Sequence, residues 1–351
     1  MELSDLVRHS GAWLSGSGPE SDIVISTRVR LARNLVEFPF VTKATAEDRQ
    51  KIEEVVREAL RSSKLARKMD YLALDGSTPL DLTFLVERHL ISKELAEADG
   101  RRGVAVGEHE TVSLMVNEED HLRIQVLRSG LDIKGSWKRI DKMDDILGEG
   151  LNYAFSDRLG YLTACPTNVG TAMRVSVMLH LPALGMRGDM ERVFRAVAKL
   201  NLAVRGLYGE GTEAHGDFYQ VSNQVTLGKS EAEILETVGK VVPRIVQYER
   251  LARRKLVAEH RDVLEDKIWR SYGTLKTART ISSAETMKLL SHLRLGVNLG
   301  LVSDVAIREL NELFLLTQPA HLQKIQGHEM PSEDRDVLRA EFIRKRLNLN
   351  N

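Results

Sequence analysis

The chain of 351 residues is 42% hydrophobic and 28% charged, a composition that describes a folded protein of roughly two domains and excludes a disordered or low-complexity one. Its 50 Lys and Arg balance 50 Asp and Glu, which excludes a whole-molecule field drawing it to nucleic acid or membrane but leaves room for a local cationic site. The lone cysteine, Cys165, excludes an intramolecular disulfide, and with no signal-like apolar core in residues 1–18 and no run approaching a membrane span, a cytoplasmic protein is expected.

Ile23 to Leu31 alternates as a strand should. Ile23, Ile25, Thr27, Val29 and Leu31 share one face, and Val24, Ser26, Arg28 and Arg30 the other. Thr45 caps a helix predicted over 46–62, with Ile52, Val55, Val56, Ala59 and Leu60 as its apolar stripe. Residues 104–106, 111–116 and 122–127 read as short strands, and their close spacing implies an antiparallel sheet rather than repeated βαβ units. Arg174 to Leu181 alternates again, with Val175, Val177, Leu179 and Leu181 opposite Arg174, Ser176, Met178 and His180. A helix is predicted over 189–205, a glycine-rich loop over 206–216 and a strand over 219–227. Ser230 and Glu233 form a capping box for a helix that reaches about residue 257 and bends at Pro243. From about residue 258 the pattern is leucine-rich and helical, with a further capping box at Ser282 and Glu285, a break at 327–331 and a last helix over 332–347. The expected class is α+β: an antiparallel-sheet catalytic domain flanked by helices over 1–257, then an all-helical C-terminal domain over 258–351.

Glu118, Glu119, Asp120 and His121 lie between apolar runs and lead directly into Arg123. Arg28 and Arg30, two apart on a strand, project side chains about 6.6 Å apart on one face. That face is not ordinary core, because arginine is almost never fully buried without a partner. Arg123 and Arg174 also occupy polar strand faces, and converging arginines would form a planar-donor cradle for polyphosphate. Each alone reads more readily as a solvated strand residue with scattered ion pairs; for four of them that explanation weakens. The chain has neither a phosphate-binding glycine–lysine loop nor His-Arg-Asp or Asp-Phe-Gly elements, so any ATP would rest on arginine side chains. Cys165 is either a small buried hydrophobe or, flanked by Pro166, Thr167 and Asn168, a polarised thiol. Arg335 and Arg339 are helix-face neighbours near a helix start, with Asp336 beside them: an anion site or a solvated charged helix.

Ser26-Thr-Arg-Val-Arg30, Asn117-Glu-Glu-Asp-His-Leu-Arg123 and Cys165-Pro-Thr-Asn-Val-Gly-Thr171 with Arg174 resemble, in order and spacing, the phosphagen (guanidino) kinases over residues 20–255. The first motif begins at Ser26 without the helical front domain of creatine and arginine kinases. With its helical tail the chain resembles the bacterial protein-arginine kinases of the McsB type, which phosphorylate arginine side chains in proteins. The resemblance implies ATP and Mg²⁺ as cofactors, the metal held mainly through the nucleotide. Arg28, Arg30, Arg123 and Arg174, with Arg205, would hold the phosphates. The binding stretches would also include Ser26, Thr27 and Val29; Val175, Ser176, Val177 and Met178; and Gly206, Leu207, Tyr208, Gly209 and Glu210. His89 would contact the nucleotide. Glu119 would orient and deprotonate the substrate guanidinium, Glu210 would be its second carboxylate, and Cys165 would tune the site, while Glu118 and Asp120 shape the turn. A base is needed because a guanidinium, with a pKa above about 12, is a poor nucleophile while protonated. Arg335, Asp336 and Arg339 resemble an allosteric phosphoarginine receptor. One position departs from the small-guanidino kinases: where they place a further phosphate-binding arginine, this chain has Thr226.

The partners implied are protein substrates including a stress-response repressor, an activator protein (McsA), a Clp-type unfoldase and protease, and a second copy of the chain, with neither membrane nor direct nucleic acid. Other readings stay open: a kinase for a free guanidino metabolite such as arginine, or a non-catalytic phosphoarginine-binding adaptor. A hydrolase using Cys165 as nucleophile leaves the strand arginines unexplained.

Overall fold

The computed structural model describes residues 3–7, 9–206 and 215–348. The strands are β1 (Val24–Arg33), β2 (Met69–Ala73), β3 (Gly103–Gly107), β4 (Val112–Val116) and β5 (Leu122–Ser129), then β6 (Phe155–Ser156), β7 (Gly160–Tyr161), β8 (Met173–His180), β9 (Leu202–Gly206) and β10 (Phe218–Asn223). Eight of them form one sheet in the order β2-β3-β4-β5-β1-β8-β10-β9, while β6 and β7 make a separate hairpin. Every neighbouring pair is antiparallel, as the short strand spacing predicts.

The strand alternation separates two environments. On one face Ile23, Val29, Leu31, Val175, Val177 and Ile124 are buried, covered by helices Ile133–Gly148 and Glu231–Glu259. On the other face the same strands carry Arg28, Arg30, Arg123 and Arg174, all half-buried. The β1 register sets this arrangement, because a one-residue slip would exchange the faces.

The helix Ala46–Ser62 begins at a reciprocal capping box between Thr45 and Asp48. Its buried stripe is Ile52, Val56, Ala59 and Leu60; Val55, expected with them, is 40% exposed. The helix predicted over 189–205 is instead Met190–Ala198 followed by β9. Asn201, at φ 55°, takes the left-handed conformation that ends a helix, and β9 then gains a ladder with β10. The strand predicted over 219–227 stops at Asn223. Ser230 and Glu233 form the expected capping box, and the helix continues through Pro243 to Glu259. At Ser282 only the serine arm forms, accepting the Glu285 amide.

After residue 260 the described chain is all-helical, in the elements Arg261–Thr277, Ser283–Asn298, Ile307–Leu316, Pro319–Gln326 and Ser332–Asn348. These helices share a continuous apolar core with the sheet: Ile268, Leu290, Leu293 and Ile343 belong to the same cluster as Val175 and Val177. A buried polar seam accompanies it. Arg294 donates to the carbonyls of Ser21 and Asp22 at 2.7 and 3.1 Å and to Asn311 Oδ1 at 3.1 Å, with His180 Nδ1 at 3.0 Å. None of the described helices is long and apolar enough to cross a membrane.

Candidate active site

Strands β5, β1 and β8 are neighbours, and their registers gather the arginines. Arg30 faces Arg174 directly across the β1–β8 ladder, and Arg28 faces Ser176. Across β1–β5, Arg30 faces Gln125, two residues beyond Arg123. Directly opposed like charges destabilise a sheet, so packing does not account for this placement. Nor do counter-ions: Glu118, ion-paired with Arg123, is the carboxylate that raises the Arg30 pKa. Arg28 Nη2 donates to Gln220 Oε1 at 2.8 Å, and Arg174 Nη2 to Ser222 Oγ at 3.2 Å, both neutral acceptors. The Nε–H groups of Arg30 and Arg174 are buried without a partner among the described residues. Burial, then Arg123 and Arg174, lowers the Arg28 guanidinium to about 10. Arg30 and Arg174 are pushed down by burial and by their cationic neighbours. A group of crowded cations with free donors fits an anion presenting several oxygens, as a nucleotide polyphosphate does.

Ser26, Ser176 and Met178 lie on the arginine face. Thr27, Val29, Val175 and Val177 do not: their side chains are buried on the opposite face, and Thr27 Oγ1 donates to the Gly130 carbonyl at 2.7 Å. Arg205 sits on β9 rather than on the predicted helix, opposite Gln220 and exposed, with its charge felt at Arg174. Gly206 closes that strand, while Leu207, Tyr208, Gly209 and Glu210 lie outside the described residues. His89 has its ring edge-on to Trp13 at 5.4 Å. Burial and the Arg28 charge lower it to about 3, so it is neutral at physiological pH.

The acidic turn joins β4 to β5 beside this cradle, and its carboxylates divide the work. Glu118 accepts from Ser92 Oγ at 2.6 Å and from the Glu119 amide at 2.9 Å, besides pairing with Arg123. Burial opposes its ionisation, yet Arg123, Ser92 and that amide hold it below the usual carboxylate range. Glu118 is therefore a counter-ion within the cradle as well as a turn former. Asp120 accepts from Asn34 Nδ2 at 2.6 Å and from the Ala164 amide at 2.7 Å, which ties the turn to the segment leading into Cys165.

Glu119 is different. It is half-buried and accepts from Asn168 Nδ2 at 3.4 Å and from the Cys165 thiol. Burial, then the charges of Asp120 and Glu118, raise its pKa, which makes it a stronger base than an ordinary carboxylate. Cys165 is partly exposed with Sγ 3.0 Å from Thr167 Oγ1. The turn and the Cys165 motif, 46 positions apart in sequence from Glu119 to Cys165, thus meet at one carboxylate. Thr226, the departure from the small-guanidino kinases, has Oγ1 3.0 Å from the Thr167 carbonyl and 2.8 Å from that of Val169. Its hydroxyl pins the Cys165 loop instead of reaching toward phosphate.

In the tail, Arg335, Asp336 and Arg339 share the helix Ser332–Asn348, but the two arginines are not equivalent. Arg335 is half-buried and donates to the Met330 carbonyl at 2.7 Å. Arg339 is buried, donating to the carbonyls of Thr317 and Ile281 at 2.8 and 2.9 Å and pairing with Asp336.

Residues 51–252 match the family described as ATP:guanido phosphotransferase, C-terminal catalytic domain, and residues 261–351 match the protein-arginine kinase McsB C-terminal domain. The chain is 44% identical over 351 residues to the protein-arginine kinase of Halothermothrix orenii, covering 99% of this chain and 100% of that one. With the protein-arginine kinase of Desulforamulus reducens the identity is 48% over 352 residues, 99% of each. This chain belongs to the protein-arginine kinase branch of the ATP:guanido phosphotransferases. Among solved structures, it resembles a lombricine kinase at 28% identity and a TM-score of 0.59, covering 67% of this chain and 68% of that one. A duplicated taurocyamine kinase from Schistosoma mansoni matches at 31% identity and a TM-score of 0.60, over 71% of this chain and 35% of that one.

For a member of this family, the catalytic-domain match contains Arg123, Arg174, Glu119 and Cys165, while Arg28 and Arg30 lie ahead of it on β1. Four contacts of the site escaped sequence reasoning: Gln220 and Ser222 hold the arginines, Asn168, read only as a turn former, holds Glu119, and Thr226, read only as a missing arginine, holds the loop. A register-based reading of β10 beside β8 could have found the first two, since both fall on the polar face opposite Met178 and Ser176.

Proposed function

We propose that this chain transfers the γ-phosphoryl group of ATP to the guanidinium of arginine side chains in proteins. The observation that carries the reading is the set of crowded strand arginines, short of counter-charge, beside one raised carboxylate. The arginines would bind the triphosphate and orient its terminal phosphorus. Glu119 would grip the substrate guanidinium and take its proton as a guanidinium nitrogen attacks. The new N–P bond forms as the bond from phosphorus to the β–γ bridging oxygen breaks, and ADP leaves with the negative charge. Catalysis of this kind depends mainly on positioning and charge neutralisation. Mg²⁺ would arrive on the nucleotide and neutralise phosphate charge. Cys165 would tune Glu119 through their hydrogen bond, and Glu210 would be a second carboxylate for the guanidinium.

The proposal extends to organisation and context. Residues 1–257 would be the catalytic unit, and residues 258–351 would carry homodimer contacts and an allosteric phosphoarginine site at Arg335, Asp336 and Arg339. A cytoplasmic stress-response role fits this reading, with a repressor and damaged proteins as substrates, McsA as activator and a Clp-type protease consuming the marked products. The kinase is tested by incubating the protein with ATP, Mg²⁺ and an unfolded arginine-rich protein, and measuring acid-labile phosphate. Glu119→Ala should lower the rate about 10²- to 10⁴-fold with ATP binding retained. Undiminished transfer in that variant removes Glu119 as the base.

A further inference from the structure

His89 occupies an unusual backbone position. It follows the helix Pro79–Glu87 at φ 59°, where its amide bonds the Val86 carbonyl and the Leu90 amide bonds that of Leu85. This is a Schellman C-cap, with His89 in the left-handed position usually held by glycine. A side chain there costs energy that the surroundings must offset. They do so through the two residues before it.

Arg88 is fully buried. Its Nε donates to Glu110 Oε2 at 2.9 Å, its Nη2 to the His9 carbonyl at 2.7 Å and its Nη1 to His321 Nε2 at 3.2 Å. Glu87 turns the other way, to the start of the C-terminal helix Pro319–Gln326. It accepts the amides of Ala320 and His321 at 2.9 and 3.0 Å and the His321 ring Nδ1 at 2.8 Å. The tautomer follows from the partners. A guanidinium only donates, so His321 Nε2 must be the acceptor, and the proton sits on Nδ1 facing Glu87. His321 therefore bridges Glu87 and Arg88 in one polarity only. The linkage continues outward: the Thr317 carbonyl, two residues before Pro319, accepts from Arg339 at 2.8 Å.

We propose that Glu87, Arg88 and His321 are positioning residues that hold His89 against the nucleotide, so that the C-terminal helices set the affinity for ATP. Inward, the His89 carbonyl accepts from Gln125 Nε2 at 2.5 Å, and Gln125 faces Arg30 across the sheet. His89 is thus fixed to the cradle strands on one side and to the C-terminal helices on the other. The inference rests on the reading that the strand arginines bind ATP and on the nucleotide contact that the family resemblance implies for His89.

The test measures ATP affinity by titration calorimetry, and kcat and KM with a protein substrate, on the full-length chain. His321→Leu removes both ring contacts at similar volume. It should weaken ATP binding about tenfold, equivalent to 1.4 kcal/mol, with kcat at saturating ATP held within about twofold by the definition of a binding-only effect. His321→Gln, which restores an acceptor for Arg88, should recover most of the affinity. A folded His321→Leu protein with unchanged ATP affinity overturns the proposal, as does an equal loss in the Gln variant. If His321→Leu does not fold, Glu87→Gln decides in its place, with weakened ATP binding expected and unchanged binding overturning. Arg28→Ala separates the two readings. If it binds ATP normally, the cradle reading fails and this proposal falls with it. If it loses ATP while folded His321→Leu does not, only the positioning role fails.

Discussion

Two sets of enclosed arginines in this protein differ in what surrounds them. Arg88, Arg294 and Arg339 are each no more than 1% exposed, and each is met by carboxylates, histidine or backbone carbonyls. Arg28, Arg30 and Arg174 are less enclosed, yet Arg30 faces Arg174 and Arg28 feels the charge of Arg174, their acceptors are neutral, and two Nε–H groups are left unpartnered among the described residues. The first set satisfies the rule that buried charge is paired and hydrogen-bonded. The second breaks it. The contrast teaches that burial alone does not mark a structural arginine; the completeness of its partners does.

That contrast can be broken by substitution. The largest effect is expected at Arg88→Met, which strands buried Glu110 without its cation and should cost about 3–5 kcal/mol, read as a lowered midpoint in denaturant unfolding. A cost below about 1 kcal/mol would place Arg88 with surface ion pairs. Arg30→Met should act oppositely: it removes a repelled cation, so stability without ligand should hold or rise. ATP at 100 times its Kd should stabilise the unsubstituted protein by about 2.7 kcal/mol, and Arg30→Met should lose most of that thermal shift. If Arg30→Met destabilises the ligand-free protein as Arg88→Met does, the division between the two sets fails.

Acid should weaken the paired set. His89 and His292, at about 3 and 4, and His180 and His321, also pushed down by burial, stay neutral in the folded state. Unfolded histidine takes its proton near 6.5, so below that pH the unfolded state binds protons that the folded state refuses. Stability should fall by about 1.4 kcal/mol per pH unit for each such histidine, until the folded pKa is passed. Asp217, raised to about 6 by burial, acts in the opposite sense, adding stability as pH falls through 6 toward its unfolded value. Glu119, Asp120, Asp141 and Glu249, also raised by burial, act in the same sense as Asp217. The histidine loss begins near 6.5 and runs through the whole interval, so the expected outcome is a Tm that declines from pH 7 to 5. The smallest effect is expected at Thr226→Val, which unpins the Cys165 loop at about 1 kcal/mol; activity should fall with ATP affinity unchanged.

Much of this was legible in the chain. The alternation at 23–31 and 174–181 is period two, so it identifies strands and sorts their faces, and the arginines fell on the polar side as read. The acidic turn and the Cys165 segment were recognisable because each is a continuous motif. Misreadings came where local pattern is weak. The stretch 189–205 has helical periodicity throughout, and only the pairing of β9 with β10 shows that its end is a strand. Val55 fits a helical stripe, yet it is 40% exposed, because the buried stripe of that helix is confined to Ile52, Glu53, Val56, Ala59 and Leu60.

By itself the sequence determined the antiparallel sheet, the helical C-terminal region, the strand faces that carry the arginines, and the acidic-turn and Cys165 motifs. Those features rest on periodicity and on short contiguous motifs, which a linear chain displays. Tertiary structure alone decided which arginines are satisfied and which are not. The partners of Arg88 lie 22, 79 and 233 residues away, and those of Arg294, Asn311 apart, more than 100, and no spacing rule reaches so far. Charge balance inside a protein is set by contacts across the fold, and only the folded chain shows which guanidinium groups lack a partner.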